Sequence, residues 1–182
     1  MRVSTRLLAS LALFLSAVAH VPATTLELLT LDEMAQKSTA IVVARVTGSR
    51  AAARGANIYT YFQLQVSETW KGSAVTEVAV PGGVAGGIRQ SAAGAPDLKP
   101  GQEYVLFLWT SRSGLTQIIG LSQGLFKVSE EGSGGGGSAV VQRHAASELM
   151  LDKSGLPVED HAVNMQLEDL RANVLRALGT AK

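Results

Sequence analysis

Along residues 58–72 apolar and polar side chains alternate without a break, the longest run of period two in the chain. Ile58, Phe62, Leu64, Val66 and Trp70 fall on one side, and Tyr59, Tyr61, Gln63, Gln65, Ser67 and Thr69 on the other. Such a pattern predicts a strand with one face in a core and one face nearer water. Ala40 to Thr47 is β-branched and mostly apolar and predicts a buried strand; Val75 to Val80 predicts a third. Glu103 to Thr110 is apolar on both sides, with Val105, Phe107 and Trp109 on one and Tyr104, Leu106 and Leu108 on the other, so its second side needs cover. Leu115 to Gly120 and Gly124 to Ser129 continue as a meander. Ala139 to Arg143 reads as the returning arm of a hairpin tipped by the glycine-rich segment 132–138. Between the strands, Gly48 to Asn57 reads as a loop, and the Gly-, Ala- and Pro-rich stretch 82–101 as a longer one.

Helical periodicity occurs twice. Thr30-Leu31-Asp32-Glu33 has the form of a capping box, with Leu29 and Met34 placed as a hydrophobic staple, so a helix is expected from Thr30 to about Ser38. Leu167, Leu170, Val174, Leu175 and Leu178 recur at helical spacing with Gly179 as the stop, giving an amphipathic terminal helix that either covers the sheet or extends from it. Residues 144–165 fit neither period.

The first residues change the picture of compartment. Arg2 and Arg6, an apolar run from Leu7 to Ala19 and a small-residue end form the three parts of a secretory signal peptide, with cleavage expected after Ala23 in preference to Ala19. The apolar run is shorter than the roughly 18–20 residues of a spanning helix, so no transmembrane anchor is expected in the mature chain. Subtracting Arg2 and Arg6 from the 16 basic residues leaves 14 against 15 acidic ones, scattered along the chain, and with export this argues against a nucleic-acid partner. The absence of cysteine excludes a disulfide scaffold, a thiol nucleophile and a thiolate metal site. The expected location is the periplasm or the medium.

Taken together, the capped helix, the IVVARV strand, YTYFQLQVSETWKG, and KPGQEYVLFL followed by GLSQGLFKV resemble a family of uncharacterised exported bacterial proteins. That layout is similar to the netrin-like OB barrel of the tissue inhibitors of metalloproteinases. The resemblance spans about residues 30–129 and implies a mainly β fold: a small, closed or partly closed OB-like β-barrel with a short N-terminal helix and a C-terminal amphipathic helix. The barrel domain is then expected over 24–143 and a C-terminal extension over 144–182. The inhibitors chelate zinc through an N-terminal cysteine, which this chain lacks, so no functional residue transfers.

Four groups of residues carry candidate chemistry. Gly120-Leu121-Ser122-Gln123-Gly124 matches the G-x-S-x-G nucleophile elbow, with Asp152 and His161 following in the order of that fold, although an elbow needs a helix after the serine and a strand is predicted there. Gly82 to Gly87 with Arg89 has the composition of an anion-binding loop but no helix behind it. His144 and Glu148, four apart on one face if helical, with His161, form a candidate nitrogen and oxygen metal site; His20 would be a copper ligand if cleavage fell after Ala19. Tyr59, Tyr61, Gln63 and Gln65 form a recognition row unless the terminal helix covers them, the plainer of the two readings. No cofactor is expected. The reading that follows is a non-catalytic binding or inhibitor-like module for an extracytoplasmic protein or other ligand, with Tyr59, Tyr61, Gln63 and Arg89 as its contact residues. The rivals are a hydrolase or metal enzyme and a structural envelope component.

Overall fold

Two fifteen-residue strands, β2 (Ala40–Arg54) and β3 (Asn57–Lys71), form the longest pairing in the molecule. The structure, a computed structural model, describes residues 25–130 and 138–179. The expected export signal with its two candidate cleavage points, His20 and nearly all of the glycine tip lie outside the described residues. Within them the protein is mainly β, with two helices, α1 (Leu31–Lys37) and α2 (Leu167–Gly179). The remaining strands of the main sheet are β4 (Glu77–Pro81), β7 (Glu103–Thr110), β8 (Thr116–Ile118), β9 (Leu125–Glu130), β10 (Ala139–Arg143) and β13 (Val163–Gln166). They run β13-β10-β9-β7-β2-β3-β4, with β8 paired to β7. No ladder joins β4 to β8, although the two strands lie side by side. No helix among the described residues is long and apolar enough to cross a membrane.

The segment expected as a loop, 48–57, is strand to Arg54, and the chain reverses through Gly55, whose φ of 62° suits a two-residue turn. Alanine and arginine have little β preference of their own; here Arg50 and Ala52 are held opposite Tyr61 and Tyr59, so the pairing partner decides the conformation. The stretch 82–101 is likewise partly ordered. It opens with a hairpin, β5 (Gly83–Ala85) and β6 (Ile88–Gln90), turning on Gly86 and Gly87, both at positive φ.

The alternation of β3 conceals a change of face. Ala44 pairs with Val66 but Val43 pairs with Glu68, so Ser67 is an extra residue, a β-bulge whose hydroxyl reaches Val43 O and Glu103 Oε1. Below it Phe62 and Leu64 join a core with Val42, Val46, Val78, Val80, Leu106 and Leu108. Above it Trp70 joins a different core with Ile41, Val43, Val105, Phe107 and Phe126, on the other side of the sheet. Trp70 therefore does not share a core with Phe62 and Leu64 as the alternation predicts.

The helices lie over that second core. Leu170, Val174 and Ala177 of α2 pack with Met34 and Ala35 of α1, which gives β7 the cover its two apolar faces require. Two side chains depart from their patterns: Trp109, near the end of β7, is 46% exposed, and Leu175 of α2 is 49% exposed. The capping box is formed as expected, with Glu33 N donating to Thr30 Oγ1 and Thr30 N to Glu33 Oε2. The Glu33 carboxyl is held at about 2 by the Lys153 ammonium and the Thr30 donors.

Residues after Arg143 supply parts of this architecture. β13 extends the main sheet along β10, and β11 (Leu149–Leu151) pairs parallel with β1 (Thr25–Glu27) and antiparallel with β12 (Pro157–Val158). Arg143 and Asp160 fasten the segment with bonds of 2.6 and 2.8 Å, and both side chains are at least nine-tenths buried. Burial pushes the Asp160 carboxyl up, but the Arg143 fork and the N–H groups of Ala146 and His161 outweigh it and leave it below its ordinary value.

Candidate functional site

The tyrosine row lies on the side of the sheet that carries the helices, but at the far end of the strand. α2 meets β3 at Trp70 and Glu68, where Glu68 accepts from the Trp70 indole and lies 3.8 Å from Arg171. Tyr61 is nine residues away, about 30 Å along an extended strand. A helix of 13 residues is about 20 Å long, and α2 is also engaged with α1, β10 and β13. The terminal helix therefore leaves the tyrosines uncovered.

The cross-strand neighbours of Tyr59, Tyr61 and Gln63 are Ala52, Gly48, Ala79 and Pro81, with Arg50 and Glu77 as the charged members. Tyr59 lies between Ala52 and Pro81, Tyr61 between Arg50 and Ala79, and Gln63 between Gly48 and Glu77, across β2, β3 and β4. Tyr59 has low neighbours on both sides and Tyr61 has one at Ala79; the two rings are half-buried, with centroids 6.3 Å apart. Arg50 stacks over the Tyr61 ring at 4.5 Å while both oxygens of Glu77 accept from its Nη2, at 2.9 and 3.1 Å. The guanidinium is thus held over the aromatic ring by a carboxylate.

Beside this row runs the seam between β4 and β8. A groove of about 380 Å³ follows it, walled by Tyr61, Glu77 and Ala79 on one side and Leu115 and Thr116 on the other. Arg54 Nη2 reaches across to Ser113 O at 2.6 Å, tying the tip of the β2–β3 hairpin to the β7–β8 turn.

The other candidates are dispersed. Arg89 is exposed on β6, and the β5–β6 hairpin packs by Gly83 on Ala51, Ile58 and Thr60, the opposite side of the β2–β3 hairpin from the tyrosines. Arg89 is therefore not brought to Tyr59, Tyr61 and Gln63. At Gly82 to Gly87, where a surface loop is expected, the chain forms this hairpin.

Ser122 sits in the turn between β8 and β9, followed by strand rather than helix, so the elbow geometry is absent. Ser122, His144 and Glu148 line one cleft of about 510 Å³, whereas Asp152 and His161 line a second beyond Arg143. Asp152 accepts from Ser154 N and Leu156 N within its own turn. His144 and Glu148 lie on irregular chain before β11, not on a helix face, and no group of three His, Cys, Asp or Glu among the described residues is placed to hold a metal.

The glycine-bounded motif nevertheless has a role. Its Gln123 is 1% exposed; its Oε1 accepts from Leu29 N at 2.8 Å and its Nε2 donates to Glu27 O at 3.0 Å. One side-chain amide thereby holds the segment linking β1 to α1. A lone buried glutamine has no sequence signature, and neither do Arg50 and Glu77, whose partners become visible only once β2 is extended. The chain matches no protein-family model, no curated protein and no solved structure.

Proposed function

We propose that this chain is an exported, non-catalytic binding module built on a partly closed OB-like barrel, and that its ligand docks on the outer face of β2, β3 and β4 at Tyr59, Tyr61 and Gln63. The barrel reading is supported by the five strands β4-β3-β2-β7-β8, which curl far enough for Arg54 to reach Ser113 and for Val78 and Val80 to share a core with Leu108 and Ile118. One observation carries the functional reading: two half-buried rings and an arginine over one of them stand beside Gly48, Ala52 and Ala79, beyond the reach of the terminal helix. Aromatic and arginine side chains held rigid before binding lose little freedom on contact, which is what recognition surfaces select.

Retention of partners from envelope and medium fractions of the producing cell tests this. The wild-type protein is expected to retain a specific set that the Tyr59→Ala, Tyr61→Ala variant loses. Equal retention by both proteins, or by neither, refutes it.

A further inference from the structure

We infer that the seam between β4 and β8 accepts an extended peptide segment of a partner protein by strand addition, which deepens the binding-module reading by naming the partner's chemistry. The phase of each ladder shows what the seam presents. Gly82 N bonds Ile58 O and Leu64 N bonds Thr76 O, so the bonded positions of β4 are the even ones. Val78 and Val80 are committed to β3, and the N–H and C=O of Glu77 and Ala79 are directed away from it. On β8, Ile119 N bonds Phe107 O and Ser111 N bonds Leu115 O, so Thr116 and Ile118 direct theirs away from β7. Both outward rows face the same seam, and no backbone hydrogen bond crosses it.

These are not edges open to bulk water. Ala79 is 3% and Ile118 5% exposed. An unpaired peptide group in so shielded a place costs about 1–3 kcal/mol. An extended backbone answers both rows at once, because it offers N–H and C=O along its two edges at the strand repeat. Direction fits as well: each step from β4 through β3, β2 and β7 to β8 is antiparallel, so β4 and β8 run the same way and one incoming strand lies antiparallel to both.

Cα atoms across the seam come within 8 Å, whereas an inserted strand needs about 9–10 Å between its neighbours. The walls must part to admit it, and the hydrogen bond from Arg54, at the tip of the β2–β3 hairpin, to Ser113 O ties the two sides together beside the seam. Incoming side chains on the outer face would pack beside Tyr61, above Ala79.

Random dodecapeptides displayed on phage are the probe, with enriched sequences synthesised and their affinity measured by fluorescence anisotropy. Ala79→Pro removes the outward N–H without touching the β3 ladder, a position that tolerates proline. Peptides are expected to be enriched, and to lose at least tenfold in affinity with Ala79→Pro and when alternate peptide residues are N-methylated. Thr116→Pro tests the opposite wall should Ala79→Pro fail to fold, and the methylated peptides need no variant at all. No enrichment, or affinity unchanged by methylation and by a folded proline variant, overturns the inference. Binding that survives Ala79→Pro but is lost in Tyr59→Ala removes strand addition and keeps the tyrosine face; the reverse pattern removes the tyrosine face and keeps the seam.

Discussion

Replacing Gln123 with alanine removes the amide that bonds Leu29 N and Glu27 O. Glu27 is exposed, so its carbonyl regains water; Leu29 is half-buried, and its N–H bears most of the cost of a lost partner. Adding the void left by a side chain that was 1% exposed, and subtracting the rotamer freedom that glutamine no longer loses on folding, gives a net destabilisation of about 2 kcal/mol. With a urea m-value of about 2 kcal/mol/M, the midpoint should fall by about 1 M. Gln123→Glu sharpens the test. One carboxylate oxygen still accepts from Leu29 N, but the other meets Glu27 O where an N–H had donated, so the carboxyl resists ionisation and its folded pKa is raised. Stability is then kept below about pH 4 and lost as pH rises through the raised value. Urea unfolding followed by tryptophan fluorescence at pH 4 and pH 7 measures both variants, since Trp70 is buried against the helix pair. An alanine variant within 0.5 kcal/mol of wild type, or a glutamate variant with no extra loss at pH 7, refutes the clamp.

Three further outcomes follow from the packing. Asp160→Ala leaves the Arg143 guanidinium buried without its counter-charge and should cost about 3–5 kcal/mol by the same unfolding assay. Glu33 is held at about 2 against an ordinary 4.5, so its contribution is full above pH 4.5 and is lost as pH falls toward 2; Glu33→Gln should flatten the stability profile across that window, and an unchanged slope contradicts the assignment. Gly72 sits at φ 70° with room for no Cβ, which would collide with the Thr39 carbonyl oxygen, so Gly72→Ala should destabilise by about 3 kcal/mol or more, read as a fall in Tm.

What the sequence made legible was local. The Thr30 capping box, the helical spacing of Leu170 and Val174 and the dense apolar run of β7 each carry their own signal within a few residues. What stayed hidden depends on partners distant in the chain. Residues 48–54 are strand because β3 lies opposite, and the short strands after Arg143 borrow their ladders from β1 and β10. The tyrosine row could be read as an outward face, but whether a helix covers it is decided by where α2 finds Met34 and Trp70, a tertiary fact. Gln123 belongs to a motif whose serine is followed by strand rather than helix; the motif's value lies in the neighbouring residue.

The bulge at Ser67 has a mechanical corollary. One strand anchors two apolar layers on opposite sides of a single sheet, so neither layer can melt without dragging on the other, and the molecule should lose its order in one concerted step. Deleting that one serine would let Glu68 follow Val66 in an unbroken ladder with Trp70 still in its own layer, so the extra residue is what allows an uninterrupted alternation of letters to serve two layers.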